Sequence, residues 1–187
     1  MQQLLQFDKD FFYLINSRWQ NSLFDTIMPL LRHANFWVPL YLFLFVFVLT
    51  NFKKNVFWWA CFAGATVILT DFVSSDIIKE NIFRLRPCND DSLYPAARLL
   101  LSYKPQSSSF TSSHACNHFA LAVFFYLTLK NFIGKWAYLF FFWGFIIIYA
   151  QVYVGVHFPL DVICGALVGL VFGYLSAYIF NKNYLLA

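Results

Sequence analysis

Five apolar stretches constrain the fold of this chain more than any other feature of its sequence. A helix that crosses the hydrocarbon core of a bilayer needs about 20 mostly apolar residues. The stretches that meet or nearly meet this length are residues 36–51, 56–78, 115–132, 136–156 and 162–180. Only 12% of the residues are charged, against about 25% in soluble domains. The sequence therefore predicts an all-α integral membrane helical bundle with about five transmembrane helices.

The N-terminal residues 1–34 have a different pattern. Apolar side chains recur at helical spacing from Leu4 to Ile15, with charged residues between them. Ser22 followed by Asp25 is typical of a capping box that opens a second helix. We expect two amphipathic helices that lie in the membrane interface or against the bundle. A sixth membrane span is the alternative, although the charges interrupt the apolar run.

The lysines indicate how the spans are oriented. Five spans place the polar loops 79–114 and 150–161 on one side of the membrane. The lysines on the other side have no acidic neighbours: Lys53, Lys54, Lys130, Lys135 and Lys182. Lysines in short loops favour the cytoplasm. We expect one domain over residues 1–187, with a transmembrane core at 35–180, in the cell (inner) membrane, its polar loops facing the extracytoplasmic side.

Small residues line one face of the last span. Gly165, Gly169, Gly173 and Ala177 follow one another at four-residue intervals, a spacing that lets two helices approach closely. The partner is either another helix of the same chain or the same face of a second copy. A homo-oligomer through Gly165, Gly169 and Gly173 is therefore an open alternative.

The composition argues against several other classes of protein. The net charge is only +4 and there is no Lys/Arg-rich run, so we expect no nucleic-acid partner. The four cysteines show neither a CxxC motif nor the spacing of metal ligands. They give no indication of a metal or cofactor, and the bilayer is the partner that the composition predicts.

Three polar clusters fall on the same side of the membrane: KENIFRLRP (79–87), TSSH (111–114) and AQVYVGVHFPLD (150–161). In the first cluster, Lys79 as a point charge and Arg86 as a planar fork are suited to hold one phosphate. Two cations at a membrane edge are also common interface anchors, so this cluster alone is weak evidence for a phosphate site.

The second cluster, TSSH, lies where a helix begins. The free N–H groups of a helix N-terminus favour a bound anion. Ser112 and Ser113 either contact that anion or simply cap the helix. His118, one turn after His114, is interpreted as a core histidine rather than a catalytic one.

The third cluster contains a histidine and an aspartate four residues apart. Asp161 can accept one N–H of His157 and fix its tautomer, which leaves the other ring nitrogen free as a nucleophile. Pairs of this kind also occur as structural contacts or metal ligands.

The order and spacing of the three clusters resemble the type 2 phosphatidic acid phosphatase (PAP2) superfamily, whose pattern is K-x6-RP, then PSGH, then SR-x5-H-x3-D. The matching residues are Lys79, Arg86, Pro87, Ser112, His114, His157 and Asp161. The departures are Thr111 and Ser113, in place of proline and glycine, and Ala150 and Gln151, in place of serine and arginine.

This resemblance implies a metal-independent phosphatase without a cofactor. It implies that His157 attacks phosphorus to form a phosphohistidine and that Asp161 orients it. His114 would protonate the leaving oxygen and then activate water. The phosphate-binding residues would be Lys79, Arg86, Ser112, Ser113 and Gln151.

The family and the membrane position imply a lipid phosphate or diphosphate as substrate. Undecaprenyl diphosphate is the first candidate, and phosphatidylglycerophosphate and lipid A phosphates are the alternatives. Arg98 is a candidate headgroup contact. Because Gln151 carries no charge, we expect Arg84, Arg98 or Lys104 to compensate.

Two other classes remain open at this point. A protein that lacks the charge at Gln151 could be a catalytically weakened, lipid-phosphate-binding membrane protein. A metallohydrolase would use His114, His118, His157 and Asp161 as ligands, since histidines at i and i+4 can bind one metal.

Overall fold

A computed structural model describes residues 2–93 and 97–187, and within these ranges the chain is helical, without β-strands. The N-terminal helices are α1 (Gln2–Tyr13) and α2 (Ser22–Leu31). Next come α3 (Val38–Asn51) and α4 (Val56–Asp71), which continues through a π-helical segment, Phe72–Ile78, into one last turn, α5 (Lys79–Asn81). The remaining helices are α6 (Ser113–Ile133), α7 (Leu139–Tyr153) and α8 (Pro159–Asn183). The predicted all-α class is confirmed.

Four continuous helical segments are long and apolar enough to cross a membrane: Ala34–Asn51, Val56–Asn81, Ser113–Tyr153 and Pro159–Asn183. The third contains both α6 and α7, which are joined by a 3-10 segment at Gly134–Tyr138. These two helices pack antiparallel, since ring centroids lie 5.4 Å apart between Phe125 and Phe140 and 5.2 Å apart between Phe119 and Phe145. The five predicted spans thus correspond to five helices within four segments.

The outward faces of these helices are apolar, and aromatic rings fill the interior. Leu42, Ile68, Phe142 and Val171 are exposed on four different helices, whereas Phe124 of α6 is fully buried. Exposed apolar surface of this extent requires a nonaqueous partner. The chain is a multi-pass membrane protein, and a bilayer covers these faces.

Helix α6 packs against the glycine face of α8. A Cβ atom built on Gly169 would lie 2.3 Å from the carbonyl oxygen of Cys116, and one built on Gly173 would lie 2.3 Å from that of Ala120. Only glycine permits so close an approach. The face formed by Gly165, Gly169 and Gly173 is therefore covered within the chain, and the alternative that it joins two copies is wrong.

Replacing Gly169 with valine is expected to lower the melting temperature of the protein in detergent. The added side chain meets backbone atoms, so α6 and α8 must separate, and overpacking of this kind costs about 1–3 kcal/mol. The matched control is Gly64→Ala on α4, where a Cβ meets nothing within 4 Å. Equal melting temperatures for the two variants would contradict the packing described above.

The lysine-bearing loops gather at one end of the bundle. The backbone N–H groups of Lys53 and Lys54 donate to the carbonyl oxygen of Ala187. The rings of Phe52 and Phe132 lie in edge contact, 4.5 Å apart. The other end, where α4–α5 ends and α6 and α8 begin, is called the polar end below.

The two N-terminal helices pack across the polar end. The ring of Phe12 contacts that of Phe158 at 5.4 Å, and the side chain of Asn16 donates to the carbonyl oxygen of Tyr153 at 2.7 Å. The predicted second helix begins at Ser22, but its cap is Asn21 rather than Ser22. The Asn21 side chain accepts the N–H of Phe24, since the residue before the first helical one supplies the cap.

Candidate active site

The buried imidazole of His157 lies at the polar end, in the short loop between α7 and α8. Only 3% of the residue is exposed. Its Nε2 atom lies 3.1 Å from Nη1 of Arg86. Its Nδ1 atom lies 3.8 Å from Oδ2 of Asp161. One ring nitrogen thus faces a cation and the other a carboxylate, which suits a nucleophile that gains positive charge during the reaction.

The surroundings of His157 keep its imidazole neutral. Burial lowers the pKa of His157 to about 4; repulsion by Arg86 acts in the same direction, and Asp161 opposes both. A neutral imidazole has a free lone pair and can attack an electrophile. At neutral pH this histidine is therefore in the form that nucleophilic catalysis needs.

A hydroxyl group links His157 to Asp161. We expected a direct hydrogen bond between them, but 3.8 Å is too long for one. Oδ2 of Asp161 instead accepts hydrogen bonds from Oγ of Ser109 at 2.5 Å and from the N–H of Phe158 at 2.8 Å. Ser109 Oγ lies 3.4 Å from Nδ1 of His157. The sequence analysis missed Ser109 because nothing distinguishes it within the run SSS.

Arg84 is the cationic partner of Asp161. Its Nη1 donates to Oδ1 of Asp161 at 2.6 Å, and its Nη2 donates to Oδ2 of Asp8 at 2.5 Å. Burial opposes the charge, but the two carboxylates outweigh burial and raise the pKa of Arg84. We expected Arg84 to compensate for the charge missing at Gln151. Its charge is instead neutralised by two acids.

Asp8 joins α1 to this network and was also missed. The residue is 1% exposed, and its Oδ1 accepts the N–H of Leu160 at 2.8 Å. Asp8 lies on the same face of α1 as Phe12, which is buried and follows it by one turn. An acidic residue on the apolar face of an amphipathic helix is the signal that could have identified it.

Arg86 is surrounded by carbonyl groups rather than by acids. Its guanidinium donates to the carbonyl oxygens of Ser107 at 2.9 Å, Val156 at 3.1 Å and Ser108 at 3.2 Å. No carboxylate of the described residues lies within ion-pair distance of it. Burial lowers the pKa of Arg86. Its charge is therefore available to an anion placed at Nε2 of His157.

Lys79 and Ser113, both predicted to bind phosphate, contact each other at the start of α6. Nζ of Lys79 donates to Oγ of Ser113 at 2.6 Å, and Oγ of Ser75 lies 2.9 Å from the same oxygen. Ser112 has another position. Its hydroxyl caps α6 by accepting the N–H of Ala115, and its own N–H donates to the carbonyl oxygen of Asp161. The Ser112 N–H is thus already used.

His114 and His118 lie one above the other on α6. Their rings are nearly parallel, with centroids 6.2 Å apart. His118 is buried; its Nδ1 contacts the carbonyl oxygen of His114 at 2.8 Å and its Nε2 contacts the hydroxyl of Tyr41. In residues 2–93 and 97–187 no three His, Cys, Asp or Glu side chains converge on a point that a metal ion could occupy. The ligand set of the metallohydrolase alternative is therefore not assembled.

Gln151 is fully buried on α7 and contacts an arginine that the sequence analysis did not consider. Its Oε1 accepts a hydrogen bond from Nε of Arg32 at 3.4 Å. Its Nε2 is buried without a hydrogen-bond partner among the described residues. Arg32 directly follows α2, so no motif links it to Gln151, 119 residues later.

Arg98 is paired with an acidic residue of α2. Its Nη2 forms an ion pair with Oδ2 of Asp25 at 2.6 Å, and its Nη1 donates to the carbonyl oxygen of Asn16. The guanidinium thus fastens the loop to the N-terminal helices. The contact of Arg98 with a lipid headgroup stays a prediction.

Comparisons with known proteins agree with this geometry. A family model described as the PAP2 superfamily matches residues 58–185. The chain is 28% identical to a lipid A 4′-phosphatase of Bacteroides thetaiotaomicron, over 87% of this chain and 72% of that protein. It is 30% identical to an undecaprenyl-diphosphatase of Sulfolobus acidocaldarius, over 95% and 81%. A crystal structure of a transmembrane PAP2 type phosphatidylglycerolphosphate phosphatase from Bacillus subtilis has the same fold, with a TM-score of 0.72, 19% identity and coverage of 98% of this chain and 89% of that one.

Proposed function

This chain belongs to the PAP2 superfamily, and we propose that it removes phosphate from the headgroup of a membrane lipid by a metal-independent histidine mechanism. The observation that carries the proposal is the buried His157, whose Nε2 lies 3.1 Å from Arg86 while Asp161 lies on its Nδ1 side. A neutral imidazole beside a guanidinium can attack phosphorus while the guanidinium holds the phosphate oxygens.

The reaction proceeds in two steps. In the first, Nε2 of His157 forms a bond to phosphorus, the bond to the leaving oxygen breaks, and His114 gives that oxygen a proton. In the second, His114 takes a proton from water, the water oxygen forms a bond to phosphorus, the bond between phosphorus and Nε2 of His157 breaks, and inorganic phosphate leaves. Asp161 balances the positive charge that His157 carries in between. Lys79 and Ser113, which are in contact, bind phosphate oxygens.

Ser112 and Gln151 complete the proposed phosphate site. Ser112 acts through its position at the cap of α6, since its hydroxyl and N–H already have partners. Gln151 contributes its unpaired Nε2. A helix N-terminus with added donors is a favourable place for an anion.

An apolar cavity next to the site supports a substrate with a long tail. The cavity, of about 540 Å³, is lined by Leu44, Val67 and Leu121 among others, and it reaches His118. The ring of His118 lies one turn from that of His114. A lipid chain in this cavity would keep its headgroup beside His114.

Two lipids are the leading candidates. The similarity to a lipid A 4′-phosphatase favours a lipid A phosphate, and the similarity to an undecaprenyl-diphosphatase favours undecaprenyl diphosphate. We further propose that residues 1–187 act as one domain in the inner membrane. The lysines gathered at the opposite end favour a polar end that faces the extracytoplasmic side.

Phosphate release by the purified protein in detergent and EDTA tests the proposal. The substrates are lipid A 4′-phosphate, undecaprenyl diphosphate, phosphatidylglycerophosphate and the soluble ester p-nitrophenyl phosphate. We expect kcat/KM for lipid A phosphate or undecaprenyl diphosphate to exceed that for the soluble ester at least about tenfold, because the apolar tail adds binding energy. Activity that disappears in EDTA would contradict the metal-independent mechanism. Tight lipid binding without turnover would favour a binding protein.

A further inference from the structure

The cations near the site differ in whether an acid neutralises them. Arg84 contacts Asp8 and Asp161, and Arg98 contacts Asp25. Arg32 is different. Only 6% of it is exposed, and no carboxylate of residues 2–93 and 97–187 lies within ion-pair distance.

The hydrogen bonds of Arg32 do not replace the missing acid. Its Nε donates to Oε1 of Gln151 at 3.4 Å, near the upper limit for such a bond. Its two Nη groups have no acceptor in the described part of the chain. Arg86, by contrast, is enclosed by carbonyl oxygens. Arg32 is largely buried, so little water reaches its guanidinium group. A charge in such a place is unfavourable without a partner, and an external anion would supply the acceptor that the Nη groups lack.

The surroundings of Arg32 indicate where this anion lies. The backbone carbonyl oxygen of Gln151 accepts the N–H of Val156 at 3.3 Å, and the carbonyl oxygen of Val156 accepts a hydrogen bond from Nη1 of Arg86 at 3.1 Å, so the contact between Arg32 and Gln151 lies close to Arg86. Arg86 in turn lies against Nε2 of His157. Gln151, which Arg32 contacts, has an unpaired buried Nε2. Arg32, Arg86 and the amide of Gln151, which lacks an acceptor, therefore lie in one region.

We propose that Arg32 is a phosphate-binding residue, and that it supplies from the end of α2 the positive charge that Gln151 does not carry. In this role the guanidinium of Arg32 and the amide of Gln151 act as one unit: Gln151 Oε1 orients Nε of Arg32, and the Nη groups and Gln151 Nε2 donate to phosphate oxygens. The inference rests on the proposed function and extends it to the N-terminal helices, which become part of the active site rather than an anchor alone.

Inhibition by orthovanadate, a phosphate analogue, tests the inference in the protein of residues 1–187. We expect Arg32→Gln to weaken vanadate inhibition at least about tenfold, the effect of one lost charge-assisted hydrogen bond. Arg32→Lys should fall between that variant and the wild type, because lysine keeps the charge but not the fork. The control is Arg18→Gln, which removes an exposed arginine from the same segment and should leave inhibition unchanged.

The double variant Arg32→Gln/Gln151→Arg moves the charge to the other member of the contact. We expect it to recover most of the lost vanadate affinity, which no purely structural role of Arg32 would explain. The melting temperature of Arg32→Gln should not fall, since an unpaired buried charge is removed. If Arg32→Gln does not fold, Arg32→Lys and the double variant still carry the test.

The outcomes separate this inference from the proposed function. A wild-type protein that hydrolyses no lipid phosphate and does not respond to vanadate overturns both. A wild-type protein that is active and inhibited, with folded Arg32 variants that are inhibited equally well, overturns the role of Arg32 alone. A double variant no better inhibited than Arg32→Gln would also count against it.

Discussion

Replacing His157 with alanine is expected to lower kcat/KM for the best lipid substrate by at least about 10⁴-fold, the scale of losses when a catalytic nucleophile is removed. The reason is that the variant loses the imidazole nitrogen that lies 3.1 Å from Arg86 and that forms the covalent intermediate in the proposed mechanism. Rapid acid-free quenching of the wild type with labelled substrate should trap an acid-labile phosphoenzyme, and the variant should show none. A kcat/KM of His157→Ala within tenfold of the wild type would contradict the histidine mechanism.

The matched control for this variant is His33→Ala. His33 is exposed, between α2 and α3, and its removal should leave kcat/KM within about twofold, as substitutions of exposed side chains usually do. Together the two variants separate the loss of one histidine from the loss of the nucleophile.

His157→Ala should also change how the stability of the fold depends on pH. The pKa of His157 is lowered from 6.5 to about 4 by burial, so the unfolded chain binds this proton more readily than the folded one. The free energy of unfolding therefore decreases as the pH falls from about 6.5 towards 4. His157→Ala should remove that part of the acid sensitivity. Melting temperatures of both proteins at pH 7 and pH 5 check this sign.

Replacing Asp161 with asparagine is expected to lower kcat by about 10³–10⁴-fold, as loss of the carboxylate does in other histidine-based sites. The amide no longer balances the charge on His157. The amide has only one oxygen, so it cannot accept the hydrogen bonds that the carboxylate receives from Ser109, Phe158 and Arg84. The melting temperature should fall as well, since Arg84 loses one of its two acidic partners.

Asp8→Asn is the control that separates the two effects of the Asp161 change. It removes the other acidic partner of Arg84 but leaves Asp161 and Ser109 in place. We expect a similar fall in melting temperature and a decrease in kcat of less than about tenfold, since Asp8 does not contact His157. Equal losses of kcat in Asp8→Asn and Asp161→Asn would mean that the network acts only through folding.

The membrane fold could be predicted from the sequence because apolar runs are a local property, and the motif residues were identified by their resemblance to the PAP2 pattern. The length of an apolar run determines whether a helix can span a bilayer. Pro159 at the first turn of a helix is likewise a local signal, and it predicts where α8 begins. The glycine face of α8 was predicted as a packing surface for the same reason.

Contacts between distant parts of the chain could not be predicted in this way. Ser109 reaches Asp161 across 52 residues, and Arg32 reaches Gln151 across 119. The periodicity and spacing of a sequence do not predict which loop will lie over which helix end. Arg84 and Arg98 are cations that the sequence offers to a phosphate, yet Asp161, Asp8 and Asp25 neutralise them.

The sequence by itself thus determined a helical membrane protein with a histidine, an aspartate and two cations at one end, because hydropathy and residue spacing act within single helices. The tertiary structure decided which helix packs against the glycines of α8, which hydroxyl joins His157 to Asp161, and which arginines contact an acidic residue. The physical reason is that charge neutralisation and burial depend on neighbours, and the packing of α1, α2 and the polar loops over the ends of α6, α7 and α8 supplies those neighbours.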